Sequence, residues 1–136
     1  MIIGFLKENT EYETRSMLLP EHVNLLIKIG FKVLIPTDYA KKLNLDDSLF
    51  LNNGAEIKSE KDIAKNSDIV VKISGKGLER FDFKEGSVII TAFFDKNNEE
   101  YLKIKNNKKI AIKTKITMTA IVPTVTNLTK LFQVSF

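Results

Sequence analysis

Residues 1–22 read MIIGFLKENTEYETRSMLLPEH, and this stretch decides the fold. Ile2, Ile3, Phe5 and Leu6 form an apolar run short enough for a strand covered on both faces, as in parallel sheets. A strand is expected over Met1–Leu6, a polar loop over Lys7–Leu19, and a helix opening at Pro20, a residue suited to a first helical turn. In open parallel sheets ligands bind outside the carboxyl ends of the strands. Lys7, Glu8, Glu11, Glu13 and Arg15 gather at that end. A solvated loop would carry charges too, so these residues alone establish one α/β domain with a candidate site at one edge.

The rest of the chain repeats the strand-and-helix alternation. The first helix carries an apolar stripe at Val23, Leu26 and Ile27 and stops at Gly30. Leu19 is a poor cap, because no side-chain oxygen can satisfy an orphan N–H there. His22, the only histidine, has no second candidate ligand nearby and is expected to be structural or solvated. Phe31–Ile35 is the second strand, ended by Pro36. Asp46, Asp47 and Ser48 cap a short helix through Leu49–Leu51 that stops at Gly54, and Ala55–Lys58 extends briefly. Ser59-Glu60-Lys61-Asp62 resembles a capping box and opens a helix around Ile63 and Ala64.

Asp68–Ile73 is the clearest later strand, followed by Ser74-Gly75-Lys76-Gly77. That loop is either a phosphate cradle or a plain turn; it lacks the spacing of a nucleotide P-loop or a dinucleotide fingerprint. Phe81 and Phe83 are expected to tuck against the core. Ser87–Phe93 is a further strand, Asn98 opens a helix ending near Asn107, and Lys109–Lys113 is a short strand. Ile116–Val122 is β-prone, and the tail TVTNLTKLFQVSF ends on apolar residues that need cover from the chain or from a partner, such as a second copy. Alternating elements imply a three-layer α/β fold with a parallel sheet, for which a flavodoxin-like strand order is the simplest topology.

Composition narrows the function classes. At 136 residues the chain is one domain, 43% apolar and 28% charged. With no cysteine there is no disulfide, thiolate nucleophile or thiolate metal site, which fits a cytoplasmic setting. No metal site is expected. No run approaches the roughly 18 apolar residues of a membrane span, so no direct membrane insertion is expected. The start at Ile2-Ile3-Gly4 without a basic segment argues against a signal peptide. The +4 charge comes almost wholly from scattered lysine, with Arg15 and Arg80 the only arginines. Nucleic-acid binding is therefore not expected, and the dense patch Lys103–Lys109 reads as lysines offsetting a helix dipole.

Taken in order, Lys7-Glu8, Glu13, Arg15, Pro20-Glu21, Gly30, Gly54-Ala55-Glu56-Ile57, Asp68-Ile69-Val70-Val71-Lys72 and Glu85-Gly86 before Val88 form a set. It resembles the N-terminal domain of the alanine dehydrogenase and pyridine nucleotide transhydrogenase family. The resemblance implies an N-terminal-type domain over 1–123. Residues 124–136 would begin the connection to a Rossmann NAD-binding domain, before which this chain ends.

It also implies NAD(H) and NADP(H) as cofactors, not bound by this chain alone. The implied partners are a Rossmann domain and transhydrogenase membrane subunits, which would hold the chain peripherally at a membrane's inner face. Within that family, alanine dehydrogenases place a lysine where Ser74 stands and a histidine near Phe94. The stretch after the Phe93 strand looks more like a transhydrogenase alpha subunit, whose chemistry is positioning and not acid–base catalysis. The alpha subunit's polar loop after a Val-Pro is not retained after Val122-Pro123, where Thr124, Thr129 and Phe132 stand.

The resemblance thus assigns no catalytic residue and places Arg15, Lys72 and Ser74 in a substrate or nucleotide cleft. From the residues themselves, Arg15 either faces the cleft or pairs with Glu13 or Glu8, and Lys72 either belongs to the site or snorkels at the strand end. Three functions stay open. One is the N-terminal part of a proton-translocating NAD(P) transhydrogenase alpha subunit, inactive alone. The others are a non-catalytic remnant or interaction module that forms a homo-oligomer, and half of an alanine- or saccharopine-type dehydrogenase.

Overall fold

The structure is a computed structural model and describes residues 1–113, except 10, 12, 93–98 and 108–109. Expectations at Phe94, in the stretch 114–123 and in the tail 124–136 lie outside the described residues. The described chain runs β1 (Ile2–Phe5), α1 (Pro20–Lys28), β2 (Lys32–Ile35), α2 (Asp47–Asn52), β3 (Glu56–Ile57) and α3 (Glu60–Asn66). It continues through β4 (Ile69–Val71), β5 (Val88–Ile90), α4 (Glu99–Asn107) and β6 (Ala111–Lys113). Single 3-10 turns lie at Lys41–Leu43 and Leu78–Arg80.

All six strands are parallel, in the order β3-β2-β1-β4-β5-β6. Without the two-residue β3, the other five stand in the expected flavodoxin-like order. The brief extension at Glu56 and Ile57 pairs on the outer side of β2 and adds a sixth, edge strand.

Strand alternation sorts the core into two layers. Ile3, Phe5, Val33, Ile35, Ile69 and Val71 face α1 and α2, packing with Val23, Leu26 and Phe50. Leu6, Leu34, Val70 and Ile89 face the other way, onto Ile63 and Ala64 of α3 and Ile104 of α4. Phe83 is buried in this second layer, and Phe81 packs against it edge-on at 6.1 Å.

The caps explain the helix starts. Asp46 accepts from the Ser48 N–H and Ser59 from the Asp62 N–H. At α1 Leu19 cannot cap, and His22 answers by accepting the Leu19 N–H on Nδ1 at 3.2 Å. An imidazole that accepts there must be neutral, in agreement with the burial that pushes its pKa down. This is the structural role expected of His22.

β1 and β4 lie side by side at the centre, and the chain crosses to opposite sides from them. At their amino ends Asp68 Oδ2 accepts the Ile2 N–H at 2.7 Å, and Lys84 Nζ reaches Asp68 Oδ1 at 2.5 Å. In mid-strand Gly4 lets α3 approach: a Cβ there would collide with Ile63 Cγ2 and Ser67 Oγ. Both neighbours are fully buried. Gly4→Ala is accordingly expected to destabilise the fold by about 1–3 kcal/mol, read as a lower midpoint in urea unfolding with an unchanged slope.

Candidate functional site

The order of the strands dictates where a ligand would sit. β1 connects through α1 toward β2, whereas β4 continues toward β5, so a crevice opens beyond the carboxyl ends of β1 and β4. The register pairs Phe5 with Val71. Continued one step at a time, it sets Leu6 opposite Lys72 and Glu8 opposite Ser74.

The last ladder bond between the two strands is from the Leu6 N–H to the Val71 carbonyl, at 3.1 Å. Beyond it the Glu8 side chain takes over from the backbone. Its Oε1 accepts a short hydrogen bond from the Ile73 N–H, and its Oε2 accepts from the Ser74 N–H at 3.2 Å. Lys72 Nζ lies 3.3 Å from Oε2 and also donates to the carbonyls of Ser74 at 2.8 Å and Lys76 at 3.2 Å. Both charged side chains are withdrawn from water, with 4% and 9% exposed for Lys72 and Glu8.

In front of Glu8 lies a cleft of about 270 Å³. Lys7 and Glu8 enter it from the end of β1, and Glu13, Arg15 and Ser16 from the connection to α1. Asp38, Tyr39, Lys41 and Lys42 close it from the turn after β2. Asp38 holds a left-handed backbone (φ 58°), with its N–H on the Asp47 carboxylate at 2.9 Å. Tyr39 forms the floor, edge-on to Phe5 and Phe50 at 6.2 and 5.7 Å. Burial pushes its phenol pKa up, against a hydrogen bond with Ser16 that lowers it.

Arg15 meets both alternatives left open for it. It lines the cleft, and it pairs with Glu13 through Nε–Oε1 and Nη2–Oε2 contacts of 2.8 Å each. That guanidinium hydrogen bond holds the Glu13 carboxyl down at about 2. Arg15 and Lys72 stand at the same edge of the sheet with Glu8 between them. Lys72 does not line the cleft; its ammonium is buried behind Glu8 and does not snorkel to water. Ser74 is half-buried, and its Oγ accepts the Lys76 N–H at 3.2 Å.

The loop Ser74–Gly77 is therefore not an open phosphate cradle. Its carbonyls at Ser74 and Lys76 turn inward to Lys72, and the N–H groups of Ser74 and Lys76 already have acceptors. Sequence reasoning placed Glu8 among loop charges without giving it this role. No local pattern signals that role, because it depends on the register that sets Glu8 opposite Ser74.

The chain does not fit a dinucleotide held in the usual βα turn. A connection of 14 residues, with no glycine, separates β1 from α1, and the Leu19 N–H just before that helix is already accepted by His22. Among the described residues no group of three or more His, Cys, Asp or Glu could hold a metal ion. Among them, too, no helix is long and apolar enough to cross a membrane.

Comparison with known proteins bears on the fold and the family. A sequence model of the family described as "Alanine dehydrogenase/PNT, N-terminal domain" matches residues 4–126. The NAD(P) transhydrogenase subunit alpha of Haemophilus influenzae is 32% identical over 113 residues, covering 82% of this chain and 22% of that protein. The alanine dehydrogenase of Staphylococcus saprophyticus is 31% identical over 114 residues, covering 82% of this chain and 31% of that protein. In structure, the transhydrogenase from Sinorhizobium meliloti superposes with a TM-score of 0.70 at 21% identity, over 84% of this chain and 33% of that one. The chain thus spans between a fifth and a third of the length of these relatives.

Two outcomes follow from the geometry. Lys72→Ala leaves the Glu8 carboxylate buried without its cation, and is expected to cost about 3 kcal/mol or more in equilibrium unfolding. The Glu13–Arg15 pair adds stability in full above the ordinary carboxyl value of 4.5, and loses it as pH falls through about 2. In a melting series over that window Glu13→Gln should lose less stability with acid than the wild type; identical slopes would show that the pair contributes nothing.

Proposed function

We propose, for a chain that belongs to the alanine dehydrogenase/PNT N-terminal domain family, that it serves as the N-terminal part of an NAD(P) transhydrogenase alpha subunit. In this role it forms one wall of a cleft whose other wall is a separate Rossmann NAD-binding domain. The activity of the assembly would be hydride transfer between NADH and NADP+, coupled to proton movement through membrane subunits. NAD(H) and NADP(H) would be held by those partners. Residues 1–123 would make the wall, and residues 124–136 would begin the connection to the Rossmann domain.

The observation that carries this reading is at Ser74. Where alanine dehydrogenases place a lysine, this chain has a hydroxyl that accepts the Lys76 N–H of its own loop. No ammonium is presented at that point of the rim, and Lys72 is committed to Glu8 and two carbonyls. A rim with a hydroxyl in place of that lysine suits a reaction that needs positioning more than proton transfer. The similarity to the Haemophilus influenzae transhydrogenase subunit supports the same assignment. On this reading Arg15 orients a nucleotide or substrate anion at the cleft mouth, while Lys72 and Ser74 shape the rim behind it.

The second reading is half of an alanine dehydrogenase, favoured by the 31% identity with the Staphylococcus saprophyticus enzyme. Reconstitution separates the two. The chain is combined with a Rossmann NAD-binding domain and transhydrogenase membrane subunits, and two reactions are assayed. Reduction of an NADP+ analogue by NADH, without alanine-dependent reduction of NAD+, is the expected result. Alanine-dependent reduction alone would favour the dehydrogenase half. Silence in both, with the chain folded and assembled, would leave a non-catalytic module.

A further inference from the structure

The carboxyl end of β4 presents three hydrogen-bond donors to one point: the ammonium of Lys72 and the backbone N–H groups of Ile73 and Ser74. β1 has left the ladder after Leu6, so the Glu8 carboxylate meets the Ile73 amide where the ladder would have set a carbonyl, and its second oxygen takes the Ser74 amide as well. A carboxylate suits this place better than a carbonyl would, since it offers two oxygens and a charge to the buried ammonium. Convergent backbone amides beside a cation form an anion-binding nest. Here the anion comes from the chain itself.

We propose that Lys72, Ile73 and Ser74 form a carboxylate-recognition nest and that Glu8, by filling it, is the positioning residue of the carboxyl-edge site. Glu8 reaches both walls. Through Lys72 it draws the carbonyls of Ser74 and Lys76 inward and so sets the path of the loop Ser74–Gly77. On its other side it lines the cleft and lies within electrostatic reach of Arg15. A chain lacking the Glu8 side chain would keep the three donors and lose their acceptor. The ligand class that fits the vacated nest is a small monocarboxylate such as formate or acetate. The nest is a property of this chain alone, so its test stands or falls separately from the hydride-transfer reading.

Formate rescue of Glu8→Ala provides the test, with sodium chloride at equal ionic strength as the control and the wild type alongside. The expected result is a lowered Tm that formate raises in a concentration-dependent way for the variant only. Equal shifts in formate and chloride, or equal shifts for variant and wild type, would overturn the nest.

Should Glu8→Ala not fold even in formate, Glu8→Gln decides the matter by amide hydrogen exchange. This isostere keeps the shape but loses the charge and one acceptor oxygen. Exchange at Ile73 and Ser74 should speed up about tenfold or more while Leu6, bonded within the ladder to Val71, is unchanged. Uniform acceleration across all three amides, or none, would make Glu8 an ordinary structural residue.

Discussion

The buried pair of Glu8 and Lys72 is the interaction on which the site depends. It stands where the two central strands of a parallel sheet part company, and the parting is what makes a crevice there. Strands that diverge leave amides facing a gap, and a buried amide without an acceptor costs about 1–3 kcal/mol. Glu8 closes that gap with a side chain in place of backbone. Its negative charge would itself be costly to bury, and Lys72 offsets that charge from the neighbouring strand. Each residue makes the burial of the other tolerable.

The same two strands are tied at their opposite ends by Asp68, which accepts from Ile2 and Lys84. The Lys84 hydrogen bond and then that of the Ile2 N–H hold the Asp68 carboxyl below its ordinary value. The segment Asp68-Ile69-Val70-Val71-Lys72 thus has a polar tie at each end and an apolar middle. One tie runs to the start of β1 and the other to the residues that follow it. A sheet whose central pair is held at both ends offers a rigid base for the charged cleft in front of it, while the connecting loops carry the side chains that face a ligand.

The cleft is built of charged side chains over an aromatic floor. It has paired charges, a tyrosine floor and a guanidinium at its mouth. The large apolar side chains that α1 and α2 leave exposed, among them Leu25, Ile27, Leu49 and Leu51, sit on the layer away from α3 and α4.

The sequence by itself determined the alternation of strands and helices, the parallel sheet, and most element starts. Each of these follows from local periodicity and capping groups that neighbours in the chain supply, as with Asp46, Ser59 and the run Ile2–Leu6. It also set Arg15 in the charged connection at the carboxyl edge of the sheet and held the motif that ends in Lys72. What only the tertiary structure decided was the direction in which Lys72 points and what it meets. Glu8 and Lys72 are 64 residues apart in the chain. Their meeting depends on the register of β1 against β4 and on which strands are neighbours, neither of which a periodic pattern encodes. The same holds for Ser74, whose hydroxyl turns back on its own loop because Lys72 has already pulled that loop's carbonyls inward.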